Sequence, residues 1–111
     1  MKEYIFIYGV FRDWSKSLLG EVKFCGKTSI KAKMYKVNEF YPGCILGKKG
    51  EVFGDVYLID TSVLESLDEF EGHEYTRKRV HTKSDIDCWI YEYKYDVSGF
   101  DEIKGGDWIL R

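Results

Sequence analysis

The sequence predicts an α+β protein in which mostly antiparallel strands carry one amphipathic helix, and three observations lead there. Aromatics make up 17% of the chain, with nine Tyr and one Pro, a composition that suits pleated, half-buried strands. Short apolar or alternating segments recur between glycine-containing turns. One segment alone has a helical apolar stripe: Val63, Leu64, Leu67 and Phe70 fall at i, i+1, i+4 and i+7. At 111 residues the chain fits a single domain over 1–111, large enough to bury roughly two-thirds of its unfolded surface.

In order, Glu3 to Tyr8 is a first strand buried on both faces, since Ile5, Phe6 and Ile7 are all apolar and Gly9 follows at once. A short helix-like piece runs from Asp13 to Leu19. From Glu21 to Val37 the alternation is interrupted at Gly26-Lys27, which predicts two strands of an antiparallel meander. Phe40-Tyr41-Pro42-Gly43 is a turn, Cys44-Ile45-Leu46 a small apolar group, and Gly47-Lys48-Lys49-Gly50 a second turn with its tip at the lysines. Glu51 to Ile59 is again a strand, with Val52, Val56 and Leu58 facing one way, Phe53, Tyr57 and Ile59 the other, and a bulge at Gly54.

Asp60-Thr61-Ser62 supplies N-cap residues, and Ser62 with Glu65 has capping-box spacing, so a helix is predicted from Thr61 to Phe70. Its stripe seats it on the sheet and leaves Glu65 and Asp68 outside. Thr76 to Thr82 and Ile86 to Tyr95 form a hairpin around Lys83-Ser84-Asp85, with Trp89, Tyr91, Tyr93 and Tyr95 on one face. Phe100 to Arg111 is loop-like and ends with Trp108 closing the core.

Charge and cysteine usage exclude several functions. Seventeen basic against nineteen acidic residues leave a net charge of -2, no field for nucleic acid, and the one basic run, Arg77-Lys78-Arg79, splits between two strand faces. Tyr4 to Tyr8 is far shorter than the ~20 residues of a membrane span and lacks a cleavage site, so a soluble, cytoplasmic protein is expected. Cys25, Cys44 and Cys88 are odd in number with no C-x-x-C, which predicts reduced, mostly buried thiols. His73, His81, Asp85 and Asp87 have no metal-ligand spacing, and no G-x-S-x-G elbow exists, so neither a metal nor a Ser or Cys nucleophile is expected.

Two stretches carry chemistry. Gly9 lets the backbone of Tyr8-Gly9-Val10-Phe11 approach a ligand closely, and amides just past a strand can receive an anion. In Leu67-Asp68-Glu69-Phe70-Glu71-Gly72, a helix ending at Phe70 with Gly72 in a left-handed cap turns Glu71 to the side of Leu67 and Phe70, toward the protein.

Tyr8-Gly9-Val10-Phe11-Arg12, Leu67 to Gly72 followed by Tyr75-x-Arg77, and Gly106-Asp107-Trp108 stand in an order and spacing that resembles the γ-glutamylcyclotransferase-like (AIG2-like) family over nearly the whole chain. The resemblance implies a small mixed, mostly antiparallel β-barrel with one or two packed helices. It also implies a cavity lined by the first loop and a glutamate. Glu71 takes the catalytic position. Tyr8, Gly9, Val10 and Phe11 take the role of binding the substrate's free α-carboxylate, and Tyr91 lines the pocket from the late strand. Val10 stands where the family usually has Thr or Ser, which removes a hydroxyl from the cradle. The implied reaction is cyclisation of a γ-glutamyl amide to 5-oxoproline with release of an amine or amino acid, without a cofactor. Alternatives are a non-catalytic pocket that binds or sequesters a small anionic metabolite, and an interaction module presenting the aromatic face Trp89/Tyr91/Tyr93/Tyr95.

Overall fold

The structure is a computed structural model and describes residues 1–9 and 22–111. These form one six-stranded sheet: β1 Lys2–Ile7, β2 Lys23–Lys36, β3 Pro42–Asp60, β4 Tyr75–His81, β5 Asp87–Tyr93 and β6 Asp101–Glu102, in spatial order β4-β5-β1-β3-β2-β6. β1 and β5 pair in parallel and all other neighbours antiparallel. The sheet curls into a half-barrel, and one helix among the described residues, α1 (Thr61–Glu71), packs on it. The α+β, mostly antiparallel architecture is therefore as expected. The segments read as Asp13 to Leu19 and as the Val10-Phe11 part of the cradle lie outside the described residues.

β1 is central because it is apolar on both sides. Phe6 and Tyr8 enter a core with Ile30, Met34, Val52 and Val56, while Ile5 and Ile7 enter a second core with Ile59, Leu64 and Leu67 beneath α1. A strand buried on both faces must have neighbours on both edges, which is what the strand order provides.

The curl comes from the long β2–β3 arm, whose start at Pro42 to Leu46 returns to β5. Gly43 makes that approach possible, because a Cβ there would lie 2.6 Å from the Cβ of Tyr93. Across this seam the Leu46 amide donates to the Glu92 carboxylate at 2.9 Å. The Tyr75 hydroxyl donates to the Pro42 carbonyl at 2.5 Å. The Tyr8 hydroxyl donates to the Tyr91 carbonyl at 2.6 Å and accepts from the Cys44 amide at 3.2 Å.

Several elements differ from expectation. Gly26-Lys27 does not divide two strands: β2 is continuous, and the ladder slips at Cys25 before resuming at Gly26. Gly47 to Gly50 does not end a strand either. Lys31 pairs with Glu51 and Ala32 with Leu46, so residues 47–50 leave the ladder as an excursion, with Lys48 and Lys49 exposed. At Gly54 the register is unbroken; glycine stands there because a Cβ would collide with the Ile7 carbonyl and the Phe6 ring. Asp60, not Ser62, caps α1, its Oδ1 accepting from the Ser62 amide at 3.0 Å. Leu64 and Leu67 are buried and Val63 half-buried, but Phe70 is 64% exposed.

The hairpin turns where predicted, through Asp85 at φ 63°. Tyr91 and Tyr93 are covered by the fold, and Trp89 is half-buried between the guanidinium groups of Arg77 and Arg79, 4.4 and 4.7 Å from its ring centroid. The aromatics of the strand itself are thus core and packed surface, while Tyr95, the fourth residue of the expected face, lies beyond the end of β5 and is 51% exposed. Arg77, Lys78 and Arg79 pair with Asp68, Glu92 and Glu3, as a solvated basic run would. Trp108 is buried in the first core, and the preceding segment adds the short strand β6. Cys44 and Cys88 are buried free thiols, Cys25 a half-buried one. Among the described residues no helix is long and apolar enough to cross a membrane.

Candidate active site

α1 ends where the chain must turn into β4. Gly72 takes φ 67°, a conformation open to glycine, and its amide donates back to the Asp68 carbonyl, closing the last turn. A 3-10 turn, Gly72–Glu74, then leads into Tyr75. Glu71 is the last residue of the helix, and with Phe70 it lines a cavity of about 640 Å³ whose inner wall is the end of β1, Ile5 to Gly9.

Glu71 is half-buried, and its carboxyl is pushed up to about 7, first by loss of hydration and then by the negative charge of Glu74. No cation among the described residues offsets this. The tyrosines around it respond in turn. Tyr8, Tyr75 and Tyr91 have hydroxyls raised above the usual phenol range, chiefly by burial, with the Glu71 charge a further contribution in each. At neutral pH the site therefore holds three neutral phenols around a carboxyl near its midpoint of ionisation.

The sequence-derived site residues converge on this cavity as far as the structure describes them: Glu71, Tyr8, Gly9 and Tyr91 all line it. Val10 and Phe11 lie outside the described residues. The hydroxyls of Tyr8 and Tyr91 are already engaged. Tyr8 ties β5 to β3, and Tyr91 donates to Asp68 Oδ1 at 2.7 Å, so both present ring surface to the cavity. Asp68 is accordingly not a free outward acid; it also accepts from Arg77 Nε at 3.2 Å and anchors α1 to the sheet. Gly9 has a packing reason besides ligand approach, since a Cβ there would lie 3.0 Å from Cδ of Pro42.

Sequence reasoning missed part of the lining. Tyr41 and Glu74 meet at the mouth, the Tyr41 hydroxyl donating to Glu74 Oε1 at 2.8 Å across 33 positions of chain. Arg111 lies over the Trp108 ring, 3.5 Å from its centroid, and donates to the Trp108 carbonyl. The Tyr41-Pro42 turn was visible as a turn. What brings it to the helix end is the curl of the β2–β3 arm, which local pattern does not encode.

The family model for "Gamma-glutamyl cyclotransferase, AIG2-like" matches residues 5–110 of the chain. A Vibrio cholerae protein named "Putative gamma-glutamylcyclotransferase" is 31% identical over 117 residues, covering all of this chain and 99% of that protein. The solution structure of Escherichia coli ytfP has 32% identity and a TM-score of 0.76 over 96% of each chain. The crystal structure of a mouse AIG2-like protein, at 21% identity, shares the fold with a TM-score of 0.74 over 89% of this chain and 82% of that one.

Proposed function

Because this chain belongs to the gamma-glutamyl cyclotransferase, AIG2-like family, we propose that it cyclises a γ-glutamyl amide, releasing 5-oxoproline and a free amine or amino acid, with Glu71 as general acid and base. The observation that carries the reading is the setting of Glu71. It is the carboxyl pushed up to about 7 on the wall of a cavity large enough for a small molecule, beside the backbone at Tyr8-Gly9.

In this reading the substrate's α-carboxylate lies against the Tyr8-Gly9 end of β1 and its γ-carbonyl beneath Glu71. The ionised Glu71 takes a proton from the α-ammonium, and the freed nitrogen attacks the γ-carbonyl, forming the ring N–C bond. The original amide C–N bond then breaks, with Glu71 returning the proton to the leaving nitrogen. The α-nitrogen gives up two protons in all, the leaving amine ends with two more than it had in the amide, and no water is consumed. A base of pKa near 7 suits both halves of the cycle. The remaining contribution is geometric: the chain must be held folded back on itself, and an intramolecular attack gains most from fixed geometry. The buried free thiols agree with a reducing, cytoplasmic setting.

The test is incubation with γ-glutamyl amino acids and amines and quantification of 5-oxoproline. Release dependent on Glu71 supports the enzyme. Tight binding of a γ-glutamyl compound without release replaces it by a non-catalytic pocket that sequesters a small anionic metabolite.

A further inference from the structure

The mouth of the cavity is built from apolar side chains that a soluble protein ordinarily hides. Phe40 in the β2–β3 turn is 77% exposed, Phe70 at the end of α1 64%, and Ile109 in the C-terminal segment 45%, and all three line the same cavity as Glu71. They come from three separate elements and converge on one opening. Of the charged residues described at this opening, Glu39 is held at 2.9 Å by Lys36, Glu74 accepts the Tyr41 hydroxyl, and the Arg111 guanidinium is folded onto Trp108. An apolar group entering here would cover surface now facing water.

We propose that Phe40, Phe70 and Ile109 form a collar that selects γ-glutamyl amides whose amine part is bulky and apolar. The inference rests on the cyclotransferase reading for its geometry. With the glutamyl moiety between Tyr8-Gly9 and Glu71, the leaving amine points outward past Phe70, the neighbour of Glu71 in the chain. The acyl half is then held by the inner wall and discrimination between substrates falls to the collar. Apolar pockets discriminate modestly, about tenfold to 200-fold for small changes in apolar bulk, and a rim open to solvent belongs at the lower end.

The experiment compares γ-glutamyl-phenylalanine and γ-glutamyl-glycine as substrates of the wild-type protein and of Phe40→Ala, a substitution at a surface position that the fold can absorb. Turnover is read as 5-oxoproline release. Dissociation constants for the same two compounds are measured by calorimetry on Glu71→Gln alone and combined with Phe40→Ala. The expected result is a kcat/KM for γ-glutamyl-phenylalanine about tenfold or more above that for γ-glutamyl-glycine, and a ratio that collapses to within about twofold in Phe40→Ala. γ-Glutamyl-glycine turned over as well as γ-glutamyl-phenylalanine, or a Phe40→Ala ratio equal to wild type, overturns the collar while leaving the cyclotransferase reading intact. If no compound releases 5-oxoproline, that reading falls and calorimetry decides the collar. Tighter binding of the phenylalanine compound, lost with Phe40→Ala, supports it; equal dissociation constants overturn it.

Discussion

Two hollows of nearly equal volume, about 640 and 650 Å³, lie on this half-barrel, and each has carboxylates on its wall, of which Glu71 and Glu51 make the comparison. In the second hollow Glu51 accepts from Ser29 Oγ at 2.6 Å and from Lys83 Nζ at 3.2 Å, and these bonds hold its carboxyl below the usual range. In the first, Glu71 is half-buried beside another acid and is pushed up to about 7. One carboxylate is satisfied as an anion, and the other is kept close to giving up or taking a proton. The contrast teaches that volume and an acid do not by themselves raise a carboxyl; lost hydration and, among the described residues, the lack of an offsetting cation do.

The most direct way to break the contrast is to remove each acid in turn. Glu71→Gln is expected to lower turnover by roughly 10²- to 10⁴-fold, the range for loss of a positioned acid–base group, while Glu51→Gln leaves 5-oxoproline release unchanged. Equal losses, or full activity in Glu71→Gln, would erase the difference between the hollows. The next effect concerns what holds Glu71 in place. Leu67 is 4% exposed beneath α1, so Leu67→Ala is expected to cost about 2–5 kcal/mol in denaturant titration. A neutral result would mean that the helix carrying Glu71 is not seated by that contact.

The smallest effect sharpens the comparison through pH. Between its ordinary value of 4.5 and about 7, the folded protein binds the Glu71 proton more tightly than the unfolded chain. That contribution to stability is complete below about 4.5 and is lost as the pH rises through 7. Glu71→Gln should therefore gain stability relative to wild type between pH 5 and pH 8. Full burial would give about 3 kcal/mol, and screening by solvent at a half-buried group reduces this to about 1–2 kcal/mol. Glu51 has the opposite sign, its contribution being lost as the pH falls. Urea titrations of Glu71→Gln at pH 5 and pH 8, and of Glu51→Gln above and below pH 4.5, read the pair, and a pH-independent gap for Glu71→Gln would contradict its burial.

Strand-forming composition, the α1 stripe and the hairpin were legible because each is written in consecutive residues: Leu64 and Leu67 point where their spacing says, and Asp85 turns the chain where predicted. Glycines misled where they interrupt a strand without ending it. At Gly26 and at 47–50 the ladder resumes on the far side, and only pairing with the neighbouring strand decides between a break and a detour. Phe70 misled for a different reason. It continues the apolar stripe, but the sheet beneath has given way to the cavity mouth, so the same side chain becomes rim. Glu71 was legible from the glycine that follows it. Glu74, Tyr41 and Arg111 were not, because they reach the cavity through the curl.

The Tyr8 hydroxyl, set between the Tyr91 carbonyl and the Cys44 amide, joins its own strand to points of the chain 36 and 83 positions away. Mechanically it acts as a rivet. The ring that forms part of the cavity floor is fixed at its tip to both sides of the seam, so the half-barrel cannot spread without pulling on that floor. Stiffness at the place where a small molecule would rest is thus inherited from closure of the sheet, and breathing of the seam and distortion of the floor are one motion.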